Sequence, residues 1–187
     1  MGSLDLSAYD ALTFDCYGTL IDWEAGLLAA LRPVLEAHGI ADAGSGGPAN
    51  DALLETYARH EAALEAGEYL RYREVLGSAL MGVCAELGVM PEEEEIDRFA
   101  ASVGDWPAFP DAAASLASLA TRYRLGVITN CDDDLFALSA KRLGNPFTWV
   151  ITAQRAHAYK PSPDGFELAF AEIDRSEERR VGKECRL

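Results

Sequence analysis

The chain has 187 residues, 49% hydrophobic and 25% charged, with 16 basic and 31 acidic side chains and a net charge of −15. That composition fits one globular domain, or one with an inserted subdomain, and excludes a disordered tail, a collagen and a coiled coil. No basic cluster offers a groove for nucleic acid or an anionic membrane surface, and no apolar run approaches the roughly 18 residues that span a bilayer.

Ala11-Leu-Thr-Phe-Asp15 is short and apolar and runs into Cys16-Tyr-Gly-Thr19, so it reads as a buried strand entering a turn. From Trp23 to His38, Leu27, Leu28, Leu31, Val34 and Leu35 recur at helical spacing, with Pro33 placed to kink or divide the helix. Residues 43–48 are a Gly-rich loop. Asp51 to Ala66 predicts a helix with Leu53, Leu54, Tyr57 and Leu64 near one face. Tyr69 to Leu87 predicts another, closed by Gly88. Pro91 at a first helical position, followed by Glu92 to Glu95, opens a further helix to about Val103. Residues 22–103 therefore read as all-helical. After the rigid link Trp106 to Pro110 the pattern changes. Asp111 to Tyr123 is a helix, Leu125 to Thr129 a buried strand, Asp132 to Leu143 a helix, Thr148 to Thr152 a strand and Pro163 to Ile173 a helix. Strands alternating with helices predict an α/β fold with a Rossmann-like parallel sheet. The helical block interrupts it after the first strand. The expected division is a core of residues 1–21 and 104–174 and an insertion of residues 22–103.

In open parallel sheets, ligands bind at the carboxyl ends of the strands. Asp15 ends the first strand, Thr129 and Asn130 end the second, and Lys160 follows the third. A carboxylate there can attack carbon or phosphorus covalently. An ammonium can orient it and offset developing negative charge. Taken singly, each has a plain reading: Asp15 as a partner of turn amides, Thr129 and Asn130 as helix caps, Lys160 as a solvated loop lysine. Their meeting at matched strand ends favours a site. Asp132-Asp-Asp134 is better read as helix capping than as a magnesium site. His38, His60 and His157 lack zinc-ligand spacing, so no metal is expected. Cys16 reads as a small buried residue, and Tyr57, Tyr69 and Tyr72 as either lining or core of the insertion. Cys16, Cys84, Cys131 and Cys185 show no CxxC spacing and read as reduced. With no secretory signal at the start, a cytoplasmic location is expected.

Phe14-Asp-Cys-Tyr-Gly-Thr-Leu20 resembles the first motif of the haloacid dehalogenase (HAD) superfamily. Val127-Ile-Thr-Asn130 resembles its second and Tyr159-Lys-Pro161 its third, in the right order, over residues 8 to 174. The resemblance implies that residues 22–103 are a helical cap. It also implies that Asp15 is the nucleophile, that Lys160 is its partner, and that Thr19 supports the loop. Thr129 and Asn130 would then contact substrate or halide. Superfamily phosphatases carry a second Asp two residues after the nucleophile. Tyr17 stands there, beside the substrate, which is similar to the 2-haloacid dehalogenase branch. The implied reaction is hydrolytic dehalogenation of small 2-haloalkanoic acids through an aspartyl ester, without a cofactor. The alternatives are a magnesium-dependent phosphatase of a small metabolite, and an inactive or non-catalytic HAD-like protein. The partner is a small anionic organic substrate; a homodimer is left open. That branch holds the substrate carboxylate with a cap arginine, for which Arg59 is the candidate. Two features depart from the pattern: Phe166 occupies the position of a characteristic Tyr, and the acidic fourth motif is missing. Arg175 to Arg186 resembles translated sequencing-library adapter, so residues 175–187 are expected to be a non-native tail and the core to be cut short. On that expectation the chain as written is a poor enzyme and a marginal fold, its first strand an open apolar edge.

Overall fold

Leu125-Gly-Val-Ile-Thr129 shows no polar alternation, as befits a strand covered on both faces. It forms β2 (Arg124–Thr129), the middle strand of a three-stranded parallel sheet in the order β1-β2-β3, with β1 at Ala11–Phe14 and β3 at Phe147–Thr152. The computed structural model describes residues 8–41 and 46–173. Between β1 and β2 lie α1 (Trp23–Ala37), α2 (Asn50–Glu65), α3 (Tyr72–Glu86), α4 (Glu93–Ala101) and a 3-10 turn at Ser102–Asp105. Beyond them come α5 (Ala112–Ala120) before β2, α6 (Asp133–Arg142) before β3, then α7 (Ala153–Ala156) and α8 (Asp164–Glu172). The architecture is α/β and Rossmann-like, and all three strands point their carboxyl ends the same way. Phe14 pairs with Val127 and Thr129 with Thr152, so Asp15, Asn130 and the chain leaving β3 emerge at one rim.

Several boundaries differ from the sequence reading, each for a local reason. Pro33 neither divides nor ends α1, whose buried Leu27, Leu31, Val34 and Leu35 anchor both sides of it. The helix expected from Tyr69 starts at Tyr72, because Glu74 accepts the Arg71 amide at 2.8 Å and fixes the first turn there. Likewise α4 starts after Glu92, whose amide donates to Glu95 at 2.8 Å, and not at Pro91. The single turn α7 had no sequence signal beyond Thr152, which accepts the Arg155 amide at 3.1 Å. Among the described residues β1 pairs only with β2, and Thr13 is exposed while Leu12 and Phe14 are half-buried. The expected tail, residues 175–187, lies outside the described residues.

One apolar cluster spans the sheet and the inserted helices. It runs from Leu125 and Val127 through Cys16 and Ile21 to Leu27 and Leu31 of α1 and Leu76 and Leu80 of α3. Trp106, 2% exposed, ties these parts together: its ring lies edge-on to Tyr17 and its indole N–H donates to Ser102 at 3.1 Å. It also packs so closely on α1 that a Cβ at Gly26 would sit 2.2 Å from its Cγ. Alanine normally improves a helix interior by about 1 kcal/mol over glycine. Here overpacking outweighs that gain, and Gly26→Ala lowers stability by a net ~1–3 kcal/mol. Urea denaturation at unchanged m-value measures it; a stabilised variant would mean that Trp106 can swing aside at no cost.

Candidate active site

The turn after β1 shapes the site. The Cys16 carbonyl accepts the amides of Thr19, Leu20 and Ile21 at 3.1, 2.7 and 3.0 Å. Gly18 takes φ +88, a left-handed conformation suited to glycine. The winding returns Thr19 over Asp15, and its hydroxyl donates to Asp15 Oδ2 at 3.0 Å. Lys160 Nζ donates to Asp15 Oδ1, and at 3.0 Å to the Ile128 carbonyl. The Asp15 side chain is 42% exposed and that of Lys160 26%, so the pair is organised yet open to a ligand. Asn130 clamps the lysine segment: its Oδ1 accepts the Lys160 amide at 2.8 Å and its Nδ2 donates to the Lys160 carbonyl at 3.4 Å. Four of the residues picked from the sequence, Asp15, Thr19, Asn130 and Lys160, therefore stand together.

The remaining three stand otherwise. Tyr17 contributes its ring to the cleft, but its hydroxyl is engaged by Ser139 Oγ at 3.1 Å and Cys131 Sγ at 3.3 Å. Burial, with Cys131 next, pushes that phenol well above its ordinary pKa, so it stays neutral at physiological pH. Thr129 is 2% exposed and its hydroxyl has no hydrogen-bond partner among the described residues. It borders a small separate hollow beside Thr152, Ser162 and Lys160. Arg59 is outside the cleft, forked onto Glu86 by two bonds of 3.0 Å. The reason is helical geometry. The inward stripe of α2 is Leu53, Tyr57, Glu61 and Glu65, each four residues from the last, and Arg59 lies on the opposite face. Phe166, at the expected Tyr position, packs on Ile128, Ile151 and Ala169.

The cleft has a volume of about 190 Å³. Asp15, Asn130 and Lys160 enter it from the sheet; Glu61, Glu65 and Tyr72 enter from the inserted helices; Tyr17, Trp23 and Trp106 complete its walls. Sequence reasoning missed Trp23 and Trp106 as cleft residues, and it missed the two glutamates. The signal of the glutamates was present: they continue the four-residue spacing of Leu53 and Tyr57. Glu61 Oε1 accepts the hydroxyls of Tyr72 at 2.8 Å and Tyr57 at 3.2 Å. Burial raises its pKa, and the two hydroxyls pull it back. Glu65 Oε2 accepts Asn130 Nδ2 at 3.2 Å. Burial and then repulsion by Glu61 raise its pKa to about 8, against the opposing pull of Asn130 and Lys160.

The aspartate run proves to be three separate contacts. Asp132 holds the N-cap position of α6, where its carbonyl accepts the Phe136 amide at 2.9 Å but its side chain makes no bond to that helix. Its carboxylate crosses instead to α3, accepting the amides of Tyr72 and Arg73 at 3.1 Å each. Asp133 accepts the Thr152 hydroxyl, and Asp134 pairs with Arg73 at 2.7 Å. The expectation that these acids cap their own helix is thus corrected for Asp132: its extended backbone aims the side chain at a neighbouring helix start. Among the described residues no group of three or more His, Cys, Asp or Glu side chains is arranged to hold a metal ion. Cys16 is fully buried, and burial drives its thiol far above the usual range; burial pushes Cys131 up to about 12. Neither is a thiolate at neutral pH. No helix among the described residues is long and apolar enough to cross a membrane.

Comparison with known proteins adds a family and a fold. A family model described as haloacid dehalogenase-like hydrolase matches residues 9–181. A curated relative, the (S)-2-haloacid dehalogenase of Xanthobacter autotrophicus, is 30% identical over 164 residues, covering 84% of this chain. The chain spans 60% of that relative's length. Among solved structures, the L-2-haloacid dehalogenase of the same organism with chloropropionic acid covalently bound superposes with a TM-score of 0.74. It is 21% identical, and the match covers 91% of this chain and 67% of that one. A HAD hydrolase from Bacillus subtilis bound to magnesium gives a TM-score of 0.70 at 18% identity, over 89% of this chain and 75% of that one. At those identities the structural matches speak for the fold alone.

Proposed function

Because the chain belongs to the haloacid dehalogenase-like hydrolases, we propose that Asp15 is a covalent nucleophile and that the reaction is hydrolytic dehalogenation of a small 2-haloalkanoic acid. The helical insertion, residues 22–103, would be the cap that closes over it. In the first step an Asp15 oxygen attacks the halogen-bearing carbon, and the halide leaves with the bonding electron pair. The product is an ester of Asp15. Water then adds to the ester carbonyl and the C–O bond to Asp15's own carbonyl carbon breaks, releasing a 2-hydroxy acid, one proton and the regenerated carboxylate. Lys160 orients the carboxylate for attack and balances charge as the ester is hydrolysed. Halide needs no proton to leave, which matches a site where the residue two places after Asp15 is Tyr17, a neutral phenol tied to Ser139 and Cys131. The observation that carries the reading is the partly exposed Asp15 carboxylate held between Thr19 and Lys160.

The test is a single turnover of 2-chloropropionate in isotopically labelled water, with a chelator present. Label enters the Asp15 carboxylate first, and the rate is unchanged by chelation. Label confined to the product would argue for direct attack by water. Loss of turnover on chelation, with a phosphate ester as the best substrate, would replace this reading by the magnesium-dependent phosphatase.

A further inference from the structure

The cleft carries charge that a plain haloalkanoate leaves unanswered. Asp15 and Lys160 neutralise each other in their ion pair. What remains on the inserted-helix side is Glu61 and Glu65, and Lys160 is the one cationic residue lining the cleft among those described. Arg59, the cation that could have received a carboxylate, is turned onto Glu86. An anionic tail entering here meets two more carboxyl groups and no free cation.

We infer that Glu61 and Glu65 are specificity-determining residues, selecting a substrate whose end remote from the reacting carbon carries an ammonium group. The inference rests on the proposed function only in placing the reacting carbon at Asp15. Two kinds of group converge on it. First, each glutamate keeps one oxygen with no hydrogen bond to the described residues: Glu61 bonds both tyrosines through Oε1, and Glu65 bonds Asn130 through Oε2. The free Glu61 oxygen is an acceptor facing the cleft, and the free Glu65 oxygen becomes one when its proton leaves. Second, the remaining walls are aromatic: Trp23 and Tyr17 are half-buried, Trp106 and Tyr72 almost wholly buried. Aromatic faces attract cations through the ring quadrupole, and a set of them beside carboxylates is a recurring way to hold an ammonium group. The strain between the glutamates points the same way. Burial and mutual repulsion keep a proton on the Glu65 side of the pair, and an incoming cation supplies the missing charge instead. The substrate is then a haloacid with an amine at its far end, its halogenated carbon at Asp15 and its ammonium between the glutamates and the Trp23 indole.

The test uses hydroxy acids, the unreactive product form, on the full chain by isothermal titration calorimetry. The probes are 6-amino-2-hydroxyhexanoate and 2-hydroxyhexanoate, which share a reacting end and differ in the terminal ammonium. The amine-bearing acid binds at least about tenfold tighter, and the preference shrinks as salt is added. Glu65→Gln and Glu61→Gln each reduce the preference, and the double variant abolishes it. Equal or tighter binding of 2-hydroxyhexanoate overturns the inference, as does a preference that survives in the folded double variant, or no binding of either probe at millimolar concentration. Because product-form ligands bypass the chemistry, these outcomes are independent of whether label reaches Asp15.

Discussion

Asp15→Asn lowers turnover by roughly four orders of magnitude or more, the scale seen when a covalent nucleophile is removed. The substitution is close to isosteric, so the loss is chemical. An amide is a poor nucleophile, and its NH2 cannot accept the bond that Thr19 or Lys160 now donates to a carboxylate oxygen. One of those donors must face a second donor. KM for substrate changes far less than kcat, because the other cleft walls are untouched. Stability changes little as well, since the ion pair is partly solvated. The measurement is kcat and KM for wild type and variant, with mass spectrometry of the Asp15 peptide during turnover. A variant within tenfold of wild type would leave no room for a covalent step at this residue.

Asp132→Ala is expected to be the most damaging single change to the framework. The side chain is buried at 2% exposure and accepts the first two amides of α3. Its removal leaves two N–H groups at a buried helix start without partners. A lost cap is worth about 0.5–2 kcal/mol and a hydrogen bond to a charged group about 1.5–3 kcal/mol, so a loss of ~2–4 kcal/mol is expected. The effect reaches the cleft, because Tyr72 leads α3 and its hydroxyl holds Glu61. Urea unfolding gives the stability loss and substrate titration gives the raised KM. Asp132→Asn, which keeps one acceptor, falls between the two. A loss under about 0.5 kcal/mol would mean that water replaces the carboxylate at no cost.

Asp15, Asn130 and Lys160 were legible because a parallel sheet leaves little choice, whereas Thr19 was read only through the resemblance of its motif. Once Ala11 to Phe14 and Leu125 to Thr129 are strands, their next residues share a rim. Nothing comparable fixes the rotation of a helix. Arg59 and Glu61 are two residues apart on α2, and which of them faces the sheet depends on how α2 packs on α3. The apolar stripe through Leu53 and Tyr57 carried the answer, but its continuation into Glu61 and Glu65 looks like a return to solvent. Asp132 was legible as a capping residue and illegible as to which helix it caps, since the amides of α3 lie sixty residues back in the chain. The fate of the Tyr17 hydroxyl was likewise hidden. A phenol's identity is local, whereas its partners Ser139 and Cys131 come from beyond β2.

The inserted helices share their apolar interior with the sheet, and Trp106 is wedged against both Gly26 and Tyr17. That makes the insertion a poor candidate for exchange as a module. A different helical block spliced at the same two junctions would have to bring its own hollow for an indole, its own helix start aimed at Asp132 and its own partners for Leu76 and Leu80. Recombination that preserves the reading frame but not those three fits leaves a sheet with an unfilled face. New specificities on this scaffold are therefore more accessible by point changes on the stripe of α2, where Glu61 and Glu65 face the cleft and each answers to only one or two side-chain partners, than by trading one insertion for another.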